Sequence, residues 1–232
     1  MSDPGRNQAD PSPETARRAW IGPAEIGVAA FTAAYLGVAV VAAGITGNTE
    51  FVFYIAVMLV LIGVVGVVHA RVRLSARVLW ALAVWGLAHM AGGMVPVAVG
   101  EGGAGVLYNL WLVPRWLRYD QLVHAYGFGV STRVCWECLR GRLAATGDVR
   151  PTVGVIALCA LAAMGLGAGN EIVEFAATKI ASKTNVGDYE NNALDLVFNA
   201  IGATVVAVVI WWRGRITSSL RGSVAASQSS DA

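Results

Sequence analysis

Long apolar runs, separated by short arginine-bearing segments, set the pattern of this chain. The runs 23–45, 51–69, 77–99 and 193–212 are nearly free of charge. Each is about 20 residues long, which an α-helix needs to cross a hydrocarbon core of ~30 Å. A fifth run, 152–178, is long enough but carries Glu171 and Glu174. A sixth, 119–139, is weaker, because Asp120, His124, Arg133 and Glu137 interrupt it. The pattern predicts an all-α, polytopic membrane protein with six transmembrane helices. The segment between the third and fourth spans, "AGVLYNLWLVPRWLRYD", is too apolar for a free loop. It predicts a short interfacial helix, broken near Pro114, with Tyr108, Trp111 and Trp116 at headgroup depth.

Charge placement decides whether the weak sixth run counts as a span. Cytoplasmic loops carry an excess of Lys and Arg. With six spans and a cytoplasmic N-terminus, Arg6, Arg17 and Arg18 lie inside. So do Arg71, Arg73 and Arg77, then Arg140, Arg142 and Arg150, then Arg213, Arg215 and Arg221. These are twelve of the 17 basic residues; the outer side holds Arg115, Arg118, Lys179 and Lys183. Without the span at 119–139 the third arginine group moves outside and the rest of the chain inverts. The expectation is a multi-pass protein of the cytoplasmic membrane with both termini cytoplasmic.

Composition agrees. Apolar residues make up 56% of the chain and charged ones 14%, against about 25% charged in soluble domains; mean hydropathy is +0.59. A formal net charge of +2 gives no footprint for nucleic acid, so the partners expected are membrane lipids. Residues 1–20 are polar, lack the apolar core of a signal peptide, and read as a disordered cytoplasmic tail. Residues 21–213 form the membrane domain, whose first span reads as an uncleaved signal anchor, and 214–232 read as a second disordered tail. The oligomeric state is not legible.

Span direction sets the depth of the polar residues. His89 falls just outward of the centre of span three, Asp120 and His124 at the outer end of span four, and Asn170, Glu171 and Glu174 in the outer half of span five. Asp188, Asn192, Asp195 and Asn199 begin span six and step by four, three and four, which traces one helix face. Inside lipid such groups face the bundle interior. Four helices are therefore expected to converge on one acidic, His-containing pocket open to the outside. Taken singly, Asn170 or Asn199 reads as an interhelical hydrogen bond, and Asp120 or Asp188 as a helix N-cap. The four basic residues of the outer side can stay in water. Packed carboxylates repel unless protons or a cation neutralise them.

Two further signals are weaker. Cys135 and Cys138 form a C-x-x-C about 21 Å from His124 along the helix at 1.5 Å per residue, and read as apolar packing rather than redox chemistry. Gly165, Gly167 and Gly169 precede Asn170. They fit either a close helix contact of the small-xxx-small kind or a loosened helix whose backbone lines a cavity.

"HMAGG", "YDQLVHAYGFG", "NEIVEF" and "DYENNALDLVFNAIGA", in that order, resemble the YjdF-like family of bacterial inner-membrane proteins. The last three blocks are also similar to VanZ-like membrane proteins, with Asp195, Asn199 and Gly202 matching their Asp-x-x-x-Asn-x-x-Gly. The resemblance covers residues 85–205. It implies a membrane protein; VanZ-like proteins are associated with envelope-targeting glycopeptide resistance. After "HMAGG" this chain continues "MVPVAVGEGG", where YjdF-like proteins have a Tyr-rich stretch.

Three functions fit these residues. The first is a metal-dependent hydrolase or transferase acting on a lipid or envelope substrate. In it His89, His124, Glu171 and Asp195 would hold a divalent metal, Zn or similar, and Glu174 and Asp188 would act in catalysis. Asp120, Asn170, Asn192 and Asn199 would line the pocket. The second is a proton- or cation-coupled transporter, since chained carboxylates and histidines serve proton relays. The third is a non-catalytic membrane protein with a structural ion site.

Overall fold

The structure, a computed structural model, describes residues 21–47, 49–99, 103–144, 147, 149–180 and 189–230. Six α-helices form it: α1 (Pro23–Thr46), α2 (Thr49–Val72), α3 (Ala76–Met94), α4 (Tyr119–Leu143), α5 (Val153–Ile180) and α6 (Tyr189–Ser230). The expected tail at 1–20 lies outside the described residues. Within the range expected as a second tail, 214–232, the structure carries α6 on to Ser230. That stretch holds alanines, serines and Arg221 but no proline, and extending a formed helix costs far less than starting one.

Local chemistry fixes several ends. At α1, Pro23 takes the first turn and the Gly22 N–H donates to Glu25 Oε2 at 3.0 Å, satisfying an amide that the helix leaves unpaired. Gly47, with φ of 61°, closes it in the left-handed conformation. The third apolar run was expected to continue to 99, but α3 stops at Met94. Pro96 explains this: it has no N–H to donate, and it drives Val95 to extended geometry, φ −83° and ψ 116°.

The connection from α3 to α4 is not the expected interfacial helix. It holds two antiparallel hairpins, β1 (Pro96–Val99) with β2 (Gly103–Val106) and β3 (Trp111–Val113) with β4 (Leu117–Arg118), joined by a single 3-10 turn at Leu107–Asn109. Pro114 starts the second turn and Arg115 follows it with φ of 67°, while the Trp116 N–H donates to Val113 O at 3.0 Å. Proline followed by a left-handed residue is a type II turn, so the proline that was read as a helix break instead reverses the chain. Tyr108 anchors the connection: its ring lies against Gly92, and its hydroxyl donates to His89 O at 2.8 Å. Burial, and after it the Asp120 carboxylate, pushes the Tyr108 phenol well above its ordinary pKa, so it stays a donor.

Four helices, α1, α2, α5 and α6, are long and apolar enough to cross a membrane by length and composition. The other two are α3 and α4. The weak hydropathy of α4 has a structural reason, since it packs against α6, α5 and α3 and buries Gln121, His124, Ser131 and Thr132. A helix surrounded by protein has less need of an apolar surface. By contrast α1 and α2 expose Val38, Val41, Ile45, Leu59, Val60 and Val67.

Glycines set how closely α4 and its neighbours approach. At Gly202 of α6 a Cβ would overlap the Ala125 backbone of α4. At Gly129 a Cβ would lie 3.1 Å from Gly202 O, and at Gly127 it would run into the Trp85 ring. Of the glycines before Asn170, only Gly167 makes such an approach, to Asn199 Nδ2 at 2.6 Å; Gly165 and Gly169 meet nothing within 4 Å. The helix there is unbroken, so neither reading of that glycine run holds as stated.

Candidate functional site

Three helices bring their polar residues to one place: the start of α4, the later half of α5 and the start of α6. His124 is its centre. Its Nδ1 lies 3.0 Å from Asn199 Oδ1 and 3.6 Å from Glu171 Oε1, and its Nε2 lies 3.5 Å from Asp120 Oδ1. The imidazole thus stands between a carboxylate of α5 on one side and one of its own helix on the other. Asp195 completes a first set of donor atoms with Asp120 and His124. Glu174 completes a second with His124 and Glu171. Within each set the donor atoms lie within 4.8 Å of one another.

Asparagine amides hold the carboxylates in place. Asn191 Nδ2 donates to Asp120 Oδ2 at 3.1 Å and to Asp195 Oδ2 at 2.7 Å. Asn192 Nδ2 donates to Glu171 Oε2 at 2.7 Å, and Asn170 Nδ2 to Glu174 Oε1 at 2.7 Å. Each of the four carboxylates is therefore tied through one oxygen. Of the remaining oxygens, Asp195 Oδ1 and Glu171 Oε1 are buried and have no hydrogen-bond partner among the described residues. Their residues are only 1% and 6% exposed. A buried acceptor without a donor is costly, and a cation or a proton removes that cost. Outer groups that orient ligands in this way are typical of metal sites.

The expected residues fall into place unequally. Asp120, His124, Asn170, Glu171, Glu174, Asn192, Asp195 and Asn199 come together. Asp120 is not a cap: Arg118 occupies the cap position, and its N–H donates to Gln121 Oε1 at 2.9 Å. His89, expected as a ligand, belongs to neither donor set. Its ring packs instead among Tyr54, Trp85 and Tyr108, with centroids at 5.7–6.4 Å. These rings come from three segments, Tyr54 from α2, Trp85 from α3 and Tyr108 from the 3-10 turn. His89 does line a small cleft with Trp85, Val123, His124, Phe128 and Asn170. Asp188 lies outside the described residues.

Two participants escaped the sequence reading. Asn191 sits one residue before the expected Asn192, and its neighbours at i+4 and i+8, Asp195 and Asn199, share its face; that spacing could have revealed it. Arg118 was expected in water. Instead its Nη1 donates to Asn191 Oδ1 at 3.0 Å, and its guanidinium stacks 4.6 Å over Trp111. Arg118 ends β4, the second strand of the β3–β4 hairpin, and from there it reaches Asn191 of α6.

Elsewhere in the bundle, Cys135, Cys138 and Cys159 are free thiols. Cys135 and Cys159 pack in the apolar cluster around Trp136, Ala163 and Ile210.

No curated protein and no solved structure matches the chain. A family described as "Predicted membrane protein (DUF2238)" matches residues 28–215, which include every residue of the site, and the chain is a membrane protein of that family.

Proposed function

We propose that this protein is a metal-dependent membrane enzyme, a hydrolase or transferase acting on a lipid or envelope substrate. In this reading Asp120, His124 and Asp195 hold a divalent cation such as Zn; of the expected ligands His89 drops out and Glu171 falls in the second donor set, while Asp120, expected to line the pocket, joins the first. The observation that carries the reading is the pair of carboxylate oxygens, Asp195 Oδ1 and Glu171 Oε1, buried in the cluster around His124 with no hydrogen-bond partner among the described residues. Mixed imidazole and carboxylate donors suit Zn. A bound ion of this kind activates water and polarises a phosphoryl or acyl oxygen.

Beside His124 a narrow cleft, too small as it stands to hold a substrate, brings the apolar Trp85, Val123 and Phe128 together with the polar His124 and Asn170. The arginine distribution favours six spans with both termini cytoplasmic, which puts the cleft at the outer leaflet. Similarity of the last three sequence blocks to VanZ-like proteins also favours an envelope substrate.

A second reading, proton- or cation-coupled transport, is favoured by the imidazole itself. Its two nitrogens face carboxylates at 3.5 and 3.6 Å, the arrangement of a proton relay. One experiment separates the two. Purified protein is incubated with an envelope lipid extract and zinc, and water-soluble product is measured. The enzyme reading expects release that stops with chelator and in Asp195→Asn. Intact lipid, together with proton flux in vesicles driven by a cation gradient, supports transport instead.

A further inference from the structure

The two donor sets share His124 but no carboxylate. Asp120 Oδ1 lies 3.5 Å from Nε2, and Asp195 belongs to the same donor set. Glu171 and Glu174 form the other set, and Glu171 Oε1 lies 3.6 Å from Nδ1. Each set has its own anchoring amides, Asn191 for the first, Asn192 and Asn170 for the second. Each also contains one unpartnered carboxylate oxygen on a residue more than nine-tenths buried, Asp195 Oδ1 in the first and Glu171 Oε1 in the second. The construction is duplicated around one ring.

We propose that the cluster takes two divalent cations, one between Asp120 and Asp195 and the other between Glu171 and Glu174, with the His124 imidazole between them. This deepens the reading above and rests on it. Charge balance supports the pair. Four carboxylates surround one imidazole, and Arg118 reaches the cluster through the Asn191 amide. One divalent cation balances two of the four; two balance all of them. Unbalanced carboxylates this close together oppose ionisation, whereas a cation in each set lets every ligand stay deprotonated, as metal binding requires. Asn199 accommodates either state of the ring. Its Oδ1 lies 3.0 Å from Nδ1, and its Nδ2 has no partner among the described residues. An amide turned about would therefore present a donor in place of an acceptor.

Equilibrium dialysis against zinc tests the proposal, with the bound ions counted per chain in detergent. A Cys135→Ser, Cys138→Ser background removes the C-x-x-C pair as a competing ligand set, leaving only the buried Cys159. The result expected is two zinc ions per chain, falling to one in Glu174→Gln and to one in Asp195→Asn. Both variants preserve shape, and their thermal unfolding is recorded alongside. One ion in the unmutated cluster overturns the second site and leaves the enzyme reading standing. None overturns both. Two ions that persist in both variants show adventitious binding and overturn the assignment. Should either variant fail to fold, the count in the unmutated cluster still decides between two ions and one.

Discussion

Gly202 of α6 lies so close to Ala125 of α4 that a Cβ on it would overlap the Ala125 carbonyl. The contact is adjacent to His124 and three residues from Asn199, the pair that joins the two helices at 3.0 Å. A backbone approach this tight fixes the spacing at which an asparagine can reach an imidazole. Gly202→Ala is therefore expected to force α4 and α6 apart, at a cost of about 1–3 kcal/mol, the usual range for overpacking. Gly165→Ala is the control. It meets nothing within 4 Å, and replacing a mid-helix glycine by alanine favours the helix by roughly 0.5–1 kcal/mol. Thermal unfolding in detergent should move down for the first and level or up for the second. Equal behaviour would show that the close approach does not govern the packing.

Asn191 orients two carboxylates at once, through hydrogen bonds of 3.1 and 2.7 Å. Loss of such an outer-shell group costs about 10–100-fold in metal affinity. Asn191→Ala is expected to weaken zinc binding by that order, measured by competition with a chromophoric chelator. Affinity equal to that of the unmutated protein would mean the carboxylates hold their positions without the amide.

Glu137 acts at the other end of α4. Its carboxylate accepts from the Ser75 N–H and the Ser75 hydroxyl, both at 2.8 Å, and from Arg133 Nε at 3.1 Å. It thereby satisfies an amide at the start of α3 and ties that helix to α4. Hydrogen bonds to a charged group contribute about 1.5–3 kcal/mol, so Glu137→Ala should lower thermal stability on that scale. Zinc affinity should not change, because the site lies at the opposite end of the helix. A parallel loss of zinc would contradict that separation.

Topology rests on arginine placement, with twelve basic residues assigned to one side. A reporter fused after Ala232 is expected to be active only in the cytoplasm. Activity outside would invert the chain and place the cluster at the inner leaflet.

What the sequence made legible follows from which forces are local. Helix periodicity brought out Asp195 and Asn199 as one face, and Glu171 with Glu174 as a pair, because their spacing is a property of a single helix. Depth alone grouped His89 with the carboxylates; it does line a small cleft with His124 and Asn170 but joins neither donor set, and its ring neighbours, Tyr54, Trp85 and Tyr108, come from three separate segments. Arg118 was missed because its position depends on a hairpin, and that hairpin depends on Arg115 accepting a left-handed conformation that carries no sequence signal. The helix α4, Tyr119–Leu143, was expected at 119–139 only through charge. Its polar character is a consequence of sitting inside the bundle, which hydropathy along one helix cannot reveal.

The central claim is that His124 and the carboxylates around it bind a divalent cation. Zinc-edge X-ray absorption on the zinc-loaded protein tests it most directly, since it reports the ligand atoms themselves. The account predicts a shell of nitrogen and oxygen at about 2.0–2.2 Å, with an imidazole signature that disappears in His124→Gln. A shell of sulfur near 2.3 Å, pointing to Cys135 and Cys138, would contradict it, as would a protein that retains no zinc at all.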